Sequence, residues 1–169
     1  LGSENSGLFT MDILASDGTI IDVGHGQHLD DMRVRTWIEG RNFANRYICK
    51  EGRQQFTYYF KRIGARYIQL HISNIKDKFK FYYAGIILWE YPVAENGDFD
   101  CNDSLHKKIY EVSRKTLHLC MHEHYEDTEW REQALYSMDS RNQALCGYYC
   151  FGEYAMPAAS ITLLGMSLR

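Results

Sequence analysis

Hydrophobic positions along the chain follow two different periods. Roughly the first ninety residues alternate at a period of two, which predicts strands. Thr19-Ile20-Ile21-Asp22-Val23 follows Ser16-Asp17-Gly18, a turn cluster whose glycine permits positive φ. Arg33–Glu39 places Val34, Thr36 and Ile38 on one face. Phe56–Phe60 and Arg66–Ile72 are further runs rich in aromatic and β-branched residues, and Phe79–Trp89 is a longer apolar run broken at Gly85. Short strands between glycine-containing turns predict an antiparallel β-sandwich.

The polar stretch Val93–Asn102 holds a turn-forming Asn96-Gly97 and marks the change, giving a sandwich domain over 1–94 and a helical part over 95–169. Asn102 or Asp103 can cap a helix carrying Leu105, Ile109, Val112, Thr116 and Cys120. A second helix is predicted from about Asp139 to Glu153, with Leu145, Tyr148 and Tyr149 facing inward. Pro157 suits the first turn of a third, with Ile161, Leu164 and Leu168. The fold class is therefore α+β. Three helices in so short a stretch bury little surface alone. Either they open a larger helical domain, or they pack on the sheet as one complete α+β domain.

Composition narrows the function classes. The 169 residues are 45% hydrophobic and 24% charged, which is ordinary for a folded protein. A net charge of -3 without blocks of like charge argues against a nucleic-acid surface. No apolar run reaches the ~18 residues of a membrane span. Five cysteines without a C-x-x-C pair read as buried reduced thiols rather than a disulfide framework. The chain opens at Leu1 with neither an initiator Met nor a signal-peptide core, reading as the middle of a longer protein, and its compartment is left open.

Chemistry concentrates between the first two predicted helices. Glu126, Asp127, Glu129, Glu132 and Asp139 place five carboxylates within fourteen residues, interleaved with Trp130, Arg131, Tyr136 and Arg141. On one helix Asp127 and Glu132 would lie about 140° apart, so they converge only if a loop turns the chain between them. Glu132 and Asp139 line up over two helical turns, or across a loop-to-helix junction. Glycoside cleavage uses such an inventory: a carboxylic acid for the leaving oxygen, with carboxylates and aromatics gripping the sugar. A solvated, salt-bridged loop is the plainer alternative.

The order Asp127-x-x-x-Arg131-Glu132…Asp139 resembles the signature of the bacterial α-L-rhamnosidases of glycoside hydrolase family 78. Cys101–Leu105, Arg114–Met121 and Asp139–Asn142 are similar to the entry into that family's six-hairpin catalytic domain. Gly18–Gly24 and Gly64–Ile68 are similar to the β-sandwich before it. The resemblance implies an (α/α)6 barrel after the sandwich and inverting hydrolysis of terminal α-L-rhamnosides without a cofactor. By position it makes Glu132 the general acid and Asp127 and Asp139 the holders of sugar hydroxyls, with Arg131, Trp130 and Tyr136 as substrate contacts. Tyr136 stands where many members carry Trp, and Glu129 where small residues or Pro are common. An inverting enzyme also needs a base ~6.5–9.5 Å from the acid, and no residue here is assignable to it.

The expectation is thus a piece of a rhamnosidase holding the acid half of an active site, inactive alone, whose partner is a rhamnose-containing carbohydrate. The competing class is a non-catalytic carbohydrate-binding or interaction module. Missing barrel neighbours would leave apolar surface exposed around Leu145, Tyr148, Ile161 and Leu164, favouring self-association. His118, Cys120, His122 and His124 invite a metal reading, but a histidine cluster serving the helix C-terminal carbonyls is preferred, and no metal is expected. Cys120 and Cys146 lack an oriented base, Gly24-His25-Gly26 completes no phosphate loop, and Tyr58-Tyr59 and Tyr82-Tyr83 fit sandwich packing better than sugar stacking.

Overall fold

The computed structural model describes residues 1–168 and divides into two compact units, one from Leu1 to Trp89 and one beginning at Glu90. The first unit contains β1 (Asn5–Ala15), β2 (Ile20–Gly26), β3 (Leu29–Asp30), β4 (Arg33–Val34), β5 (Trp37–Ile38), β6 (Arg41–Asn42), β7 (Ala44–Ile48), β8 (Gly52–Ala65), β9 (Tyr67–Ser73) and β10 (Phe79–Leu88). Two antiparallel three-stranded sheets form, ordered β10-β1-β8 and β7-β2-β9. Phe9, Met11, Ile13 and Ala15 alternate inward from β1 and meet Ile21 and Val23 of β2 in one buried core. Each such side chain taken fully from water contributes about 1.5–3 kcal/mol.

The sequence reading passed over β1, although it is the central strand of its sheet. Arg33–Glu39 is not one strand but two two-residue pieces, a correction with a local cause. Asp31 and Met32 both have positive φ, as do Glu39 and Gly40, so each pair makes the mirror-image turn that closes a tight hairpin. The β8 strand bulges out of register: Thr57 faces Thr10 and Arg62 faces Leu8, leaving Tyr58–Lys61 opposite Phe9 alone. Phe60, on this bulge, is 97% exposed.

The second unit contains α1 (Ser104–Leu119), α2 (Ser137–Cys150) and α3 (Ala155–Ser167). Asp103 caps α1 as expected, its Oδ1 accepting from the Leu105 N–H at 2.8 Å and the His106 N–H at 3.4 Å. The second helix starts at Ser137 and ends at Cys150, earlier at both ends than the sequence suggested. Pro157 lies in the first turn of α3, where Glu153 Oε1 accepts from the N–H groups of Ala155 and Met156. Leu117, Met121, Tyr125, Cys150, Phe151 and Met156 form the core, with Tyr91 and Val93 packed against it. Gly97 N–H donates to the Cys150 carbonyl at 3.1 Å, and a Cβ on Gly97 would lie 2.1 Å from the Tyr149 carbonyl oxygen.

The helical faces differ from expectation. Leu105, Ile109 and Val112 are exposed, and so are Leu145, Tyr148 and Tyr149, the last at 77%. The expected inward orientation of that second trio is therefore corrected: three helices bury one side of each other and leave the opposite faces uncovered. Ile161 is exposed and Leu164 half-buried. All five cysteines are free; Cys49, Cys120 and Cys150 are buried, Cys101 is half-buried and Cys146 is exposed. The general expectation of buried thiols fails at those last two, because Cys146 shares the uncovered outer face of α2.

Candidate active site

The carboxylate-rich segment is a packed connection from α1 to α2. After α1 the chain reverses, with an antiparallel bridge between Met121 and Tyr125, and the Glu126 N–H donates to the Cys120 carbonyl at 2.9 Å. Tyr125 is fully buried, and its N–H donates to Ser160 Oγ at 3.2 Å. Its ring lies over Gly147, where a Cβ would come within 2.8 Å of the phenol oxygen. Burial pushes the Tyr125 phenol well above its ordinary pKa.

Residues 127–134 then close into a ring. The Asp127 N–H donates to the Ala134 carbonyl at 3.0 Å, and the Ala134 N–H donates to Asp127 Oδ1 at 2.9 Å. Inside it, Thr128 Oγ1 accepts from the N–H groups of Arg131 at 3.2 Å and Glu132 at 3.4 Å. Gln133 takes a positive φ of 53° and donates through Nε2 to the Glu129 carbonyl at 2.8 Å. The chain therefore does turn between Asp127 and Glu132, as their convergence requires. Glu132 lies in the loop before α2 and Asp139 in its first turn, so a loop-to-helix junction separates them and they do not share one helix.

Burial sorts the five carboxylates. Glu126 and Glu129 lie inside the packing. Glu126 Oε2 sits 3.3 Å from His122 Nδ1, and Glu129 Oε2 lies 3.8 Å from Cys120 Sγ. Asp127 and Glu132 are half-buried, and Asp139 is exposed in the first turn of α2, where the positive end of the helix dipole favours a carboxylate. Arg131 is half-buried and Tyr136 exposed; the Tyr136 carbonyl accepts from the N–H and Oγ of Ser140. Trp130 is only 7% exposed, so its indole chiefly fills the loop and offers a sugar at most an edge. Asp127 also borders an apolar groove of about 730 Å³ between α1 and α2, lined by Ile109, Val112 and Tyr149 among others.

Neighbouring reactive groups fall into structural roles. Burial, with Glu129 and Glu126 adding to it, pushes the Cys120 thiol up to about 12, so it is no thiolate nucleophile near neutrality. The preferred histidine reading is corrected. His118 Nε2 meets the Tyr91 carbonyl at 2.7 Å, His122 meets Glu126, and His124 Nδ1 meets the Tyr125 carbonyl at 2.8 Å. The three rings go to separate partners instead of the last carbonyls of α1. Among the described residues no three metal-ligating side chains gather. Sequence reasoning missed the clasping role of Asp127, Thr128 as organiser of the ring, and the His122–Glu126 pair; only the last had a signal, its spacing of four.

Two antiparallel sheets stacked on a common core, followed by three helices whose first connection carries a cluster of carboxylates, define a β-sandwich succeeded by a helical segment. Residues 1–83 match the family described as the bacterial alpha-L-rhamnosidase concanavalin-like domain. The chain's similarities are to the bacterial α-L-rhamnosidases of glycoside hydrolase family 78, of which it corresponds to a fragment. It is 36% identical to a family 78 rhamnosidase of Bacillus sp. GL1, with a TM-score of 0.88 over 96% of this chain and 17% of that one. A rhamnosidase from Klebsiella oxytoca, solved with rhamnose bound, shares the fold at 18% identity and a TM-score of 0.79, over 96% of this chain and 34% of that one. The chain thus spans about a sixth and a third of these two proteins. No curated protein matches it.

Proposed function

We propose that this chain supplies the acid side of an inverting α-L-rhamnosidase active site, with Glu132 as the general acid. Asp127, Asp139 and Arg131 hold the hydroxyls of a terminal rhamnose, and Tyr136 offers an exposed ring at the helix entry. The observation that carries this reading is the sorting of the carboxylates. The two buried ones lie against His122 and Cys120, and the three with solvent exposure are those the family motif singles out. Glu132 would donate its proton to the glycosidic oxygen as the C–O bond breaks, while water attacks from the opposite face of the sugar. The base that activates this water has no candidate among these residues. In this reading α1, α2 and α3 begin an (α/α)6 barrel, and the 169 residues alone do not turn over rhamnosides.

The test compares this chain with a longer one carrying a complete helical domain, on aryl α-L-rhamnosides of graded leaving-group pKa. Activity is expected in the longer chain alone. There Glu132→Gln keeps a hydrogen-bonding side chain but cannot deliver the proton, so kcat on poor leaving groups should fall by about 10²–10⁴-fold. Activated leaving groups need less protonation and should lose visibly less. Equal losses on good and poor leaving groups, with the dependence appearing instead in Asp127→Asn, would move the acid role to Asp127. Inactivity of both chains with retained rhamnose binding would favour a non-catalytic module.

A further inference from the structure

One cavity lies away from the carboxylate loop, inside the sandwich unit. Where the edge strands β7 and β8 of the two sheets run past each other, they leave a space of about 480 Å³ reaching Val23 and His25 of β2. This is the size of small-ligand pockets generally. His25 belongs to the Gly24-His25-Gly26 run, to which neither the sandwich core nor the carboxylate loop gives a role. Its N–H is held by the Phe43 carbonyl at 3.0 Å, and the Phe43 ring meets the imidazole edge-on at 5.7 Å. The imidazole is 1% exposed; the Gly64 carbonyl lies near it, but neither ring nitrogen completes a hydrogen bond. A buried polar ring without a partner costs stability unless something in the cavity meets it.

The walls supply two further kinds of contact. Tyr47, Phe56 and Tyr58 form an aromatic run, with ring centroids 4.6 and 6.0 Å apart and all three half-buried. Lys61, on the β8 bulge, donates through Nζ to Asn45 Oδ1 of the cavity wall at 3.2 Å. No carboxylate among the described residues pairs with Lys61, and burial holds its amine below the ordinary lysine range. Lys61 thus borders the cavity through Asn45, whereas the wall's own cation is already matched, since Arg46 forms a two-pronged pair with Asp22 at 2.7 and 2.9 Å. Lys61 is therefore a partly desolvated cation beside an unpartnered imidazole and an aromatic wall.

We propose that this cavity is a second carbohydrate site, built to take a sugar residue that carries a carboxylate. The apolar face of the sugar ring lies on Tyr47, Phe56 and Tyr58, its carboxylate meets Lys61, and a hydroxyl meets the free nitrogen of His25. This does not depend on the hydrolytic reading of the Glu132 loop. A chain holding such a site would select acidic polysaccharides over neutral ones.

The test titrates the isotope-labelled 169-residue chain with D-galacturonate, D-galactose and acetate, reading the His25 ring and Asn45 side-chain amide signals by NMR. Galacturonate should shift both saturably, with a Kd of millimolar order, as expected of a single sugar unit. Galactose, lacking the charge, and acetate, lacking the ring, should each bind at least about tenfold more weakly, as loss of one charge-assisted contact implies. Lys61→Met, at a half-buried position of the bulge, should weaken galacturonate by about the same factor while leaving the Ile13 and Ile21 methyl signals in place. Absence of saturable shifts up to about 50 mM, where even weak sites fill, would overturn the proposal. So would acetate or galactose binding as well as galacturonate, or unchanged affinity in a folded Lys61→Met variant.

Discussion

The buried His25 ties the sandwich's stability to pH, and the expected effect can be worked out in advance. In an unfolded chain the imidazole titrates near 6.5; in the fold, burial, assisted by the Lys61 charge and opposed by the Gly64 carbonyl, lowers it to about 4. Between these values the unfolded chain binds a proton that the folded chain excludes. Stability is therefore complete above about pH 6.5, falls as pH drops, and stops falling on this account below about 4. At about 1.4 kcal/mol per pH unit the loss comes to about 3 kcal/mol, a large share of the ~5–15 kcal/mol that holds a domain folded. Asp12 and Asp22 have their carboxyls held below the usual range by hydrogen bonds from Arg53 and Arg46. Their contribution is lost only as pH falls below about 3.8, outside this window. Urea unfolding between pH 7 and 4.5, followed through the Ile13 and Ile21 methyl signals of the sandwich core, measures the slope. His25→Leu should flatten it. A wild-type stability unchanged from pH 7 to 5, or a slope that survives in His25→Leu, would refute the reasoning.

Three further outcomes follow from the helical unit. Gly97→Ala places a methyl 2.1 Å from the Tyr149 carbonyl oxygen, so the unit should lose about 1–3 kcal/mol in urea unfolding; an unchanged midpoint would show that the contact is relaxed at little cost. In the native chain at pH 8, iodoacetamide should label exposed Cys146 and spare Cys120, whose thiol is buried and pushed up to about 12; mass spectrometry after short exposure separates the two. The exposed faces bearing Leu145, Tyr149 and Ile161 should make the chain self-associate with rising concentration; a strict monomer in ultracentrifugation that binds no hydrophobic dye would contradict this.

The parts of the fold legible in the sequence are those whose burial is one-sided. Strands β8, β9 and β10 carry runs of aromatic and β-branched residues, and the period of two found them. β1 was missed although Phe9-Thr10-Met11-Asp12-Ile13 alternates apolar and polar residues, because Met11, Leu14 and Ala15 dilute the β-branched and aromatic signal. Arg33–Glu39 misled in the other direction: its alternation is real, but the positive φ of Met32 and Glu39 is invisible in a pattern of polarity. The helices were found by their stripes, yet stripes do not say what covers them, and Leu105, Ile109 and Val112 lie exposed here. Five carboxylates could be counted but not ranked. The distinction between Glu126 and Asp127 is one of burial, which neighbouring positions in a loop do not reveal. Trp130 illustrates the same limit, since an aromatic beside a carboxylate reads as a sugar platform until its indole is found inside the loop.

The pair of hydrogen bonds between Asp127 and Ala134 bears on when the loop is ordered. Fixing one residue's backbone costs roughly 1–2 kcal/mol in conformational entropy, so an untethered loop of this length would resist ordering by several times that. The clasp, the Thr128 contacts and the Gln133 bridge meet that cost while the chain folds. Under the proposed function, a sugar arriving at Glu132 would find the backbone around it already set and lose little of its binding energy to arranging the loop. Asp127 thus has a clasping role beside the sugar-holding role proposed for it, and substitution can separate the two. Asp127→Asn can keep the oxygen that accepts from Ala134 and so preserve the preset shape, whereas Asp127→Ala removes that acceptor and returns the ordering cost to the moment of binding.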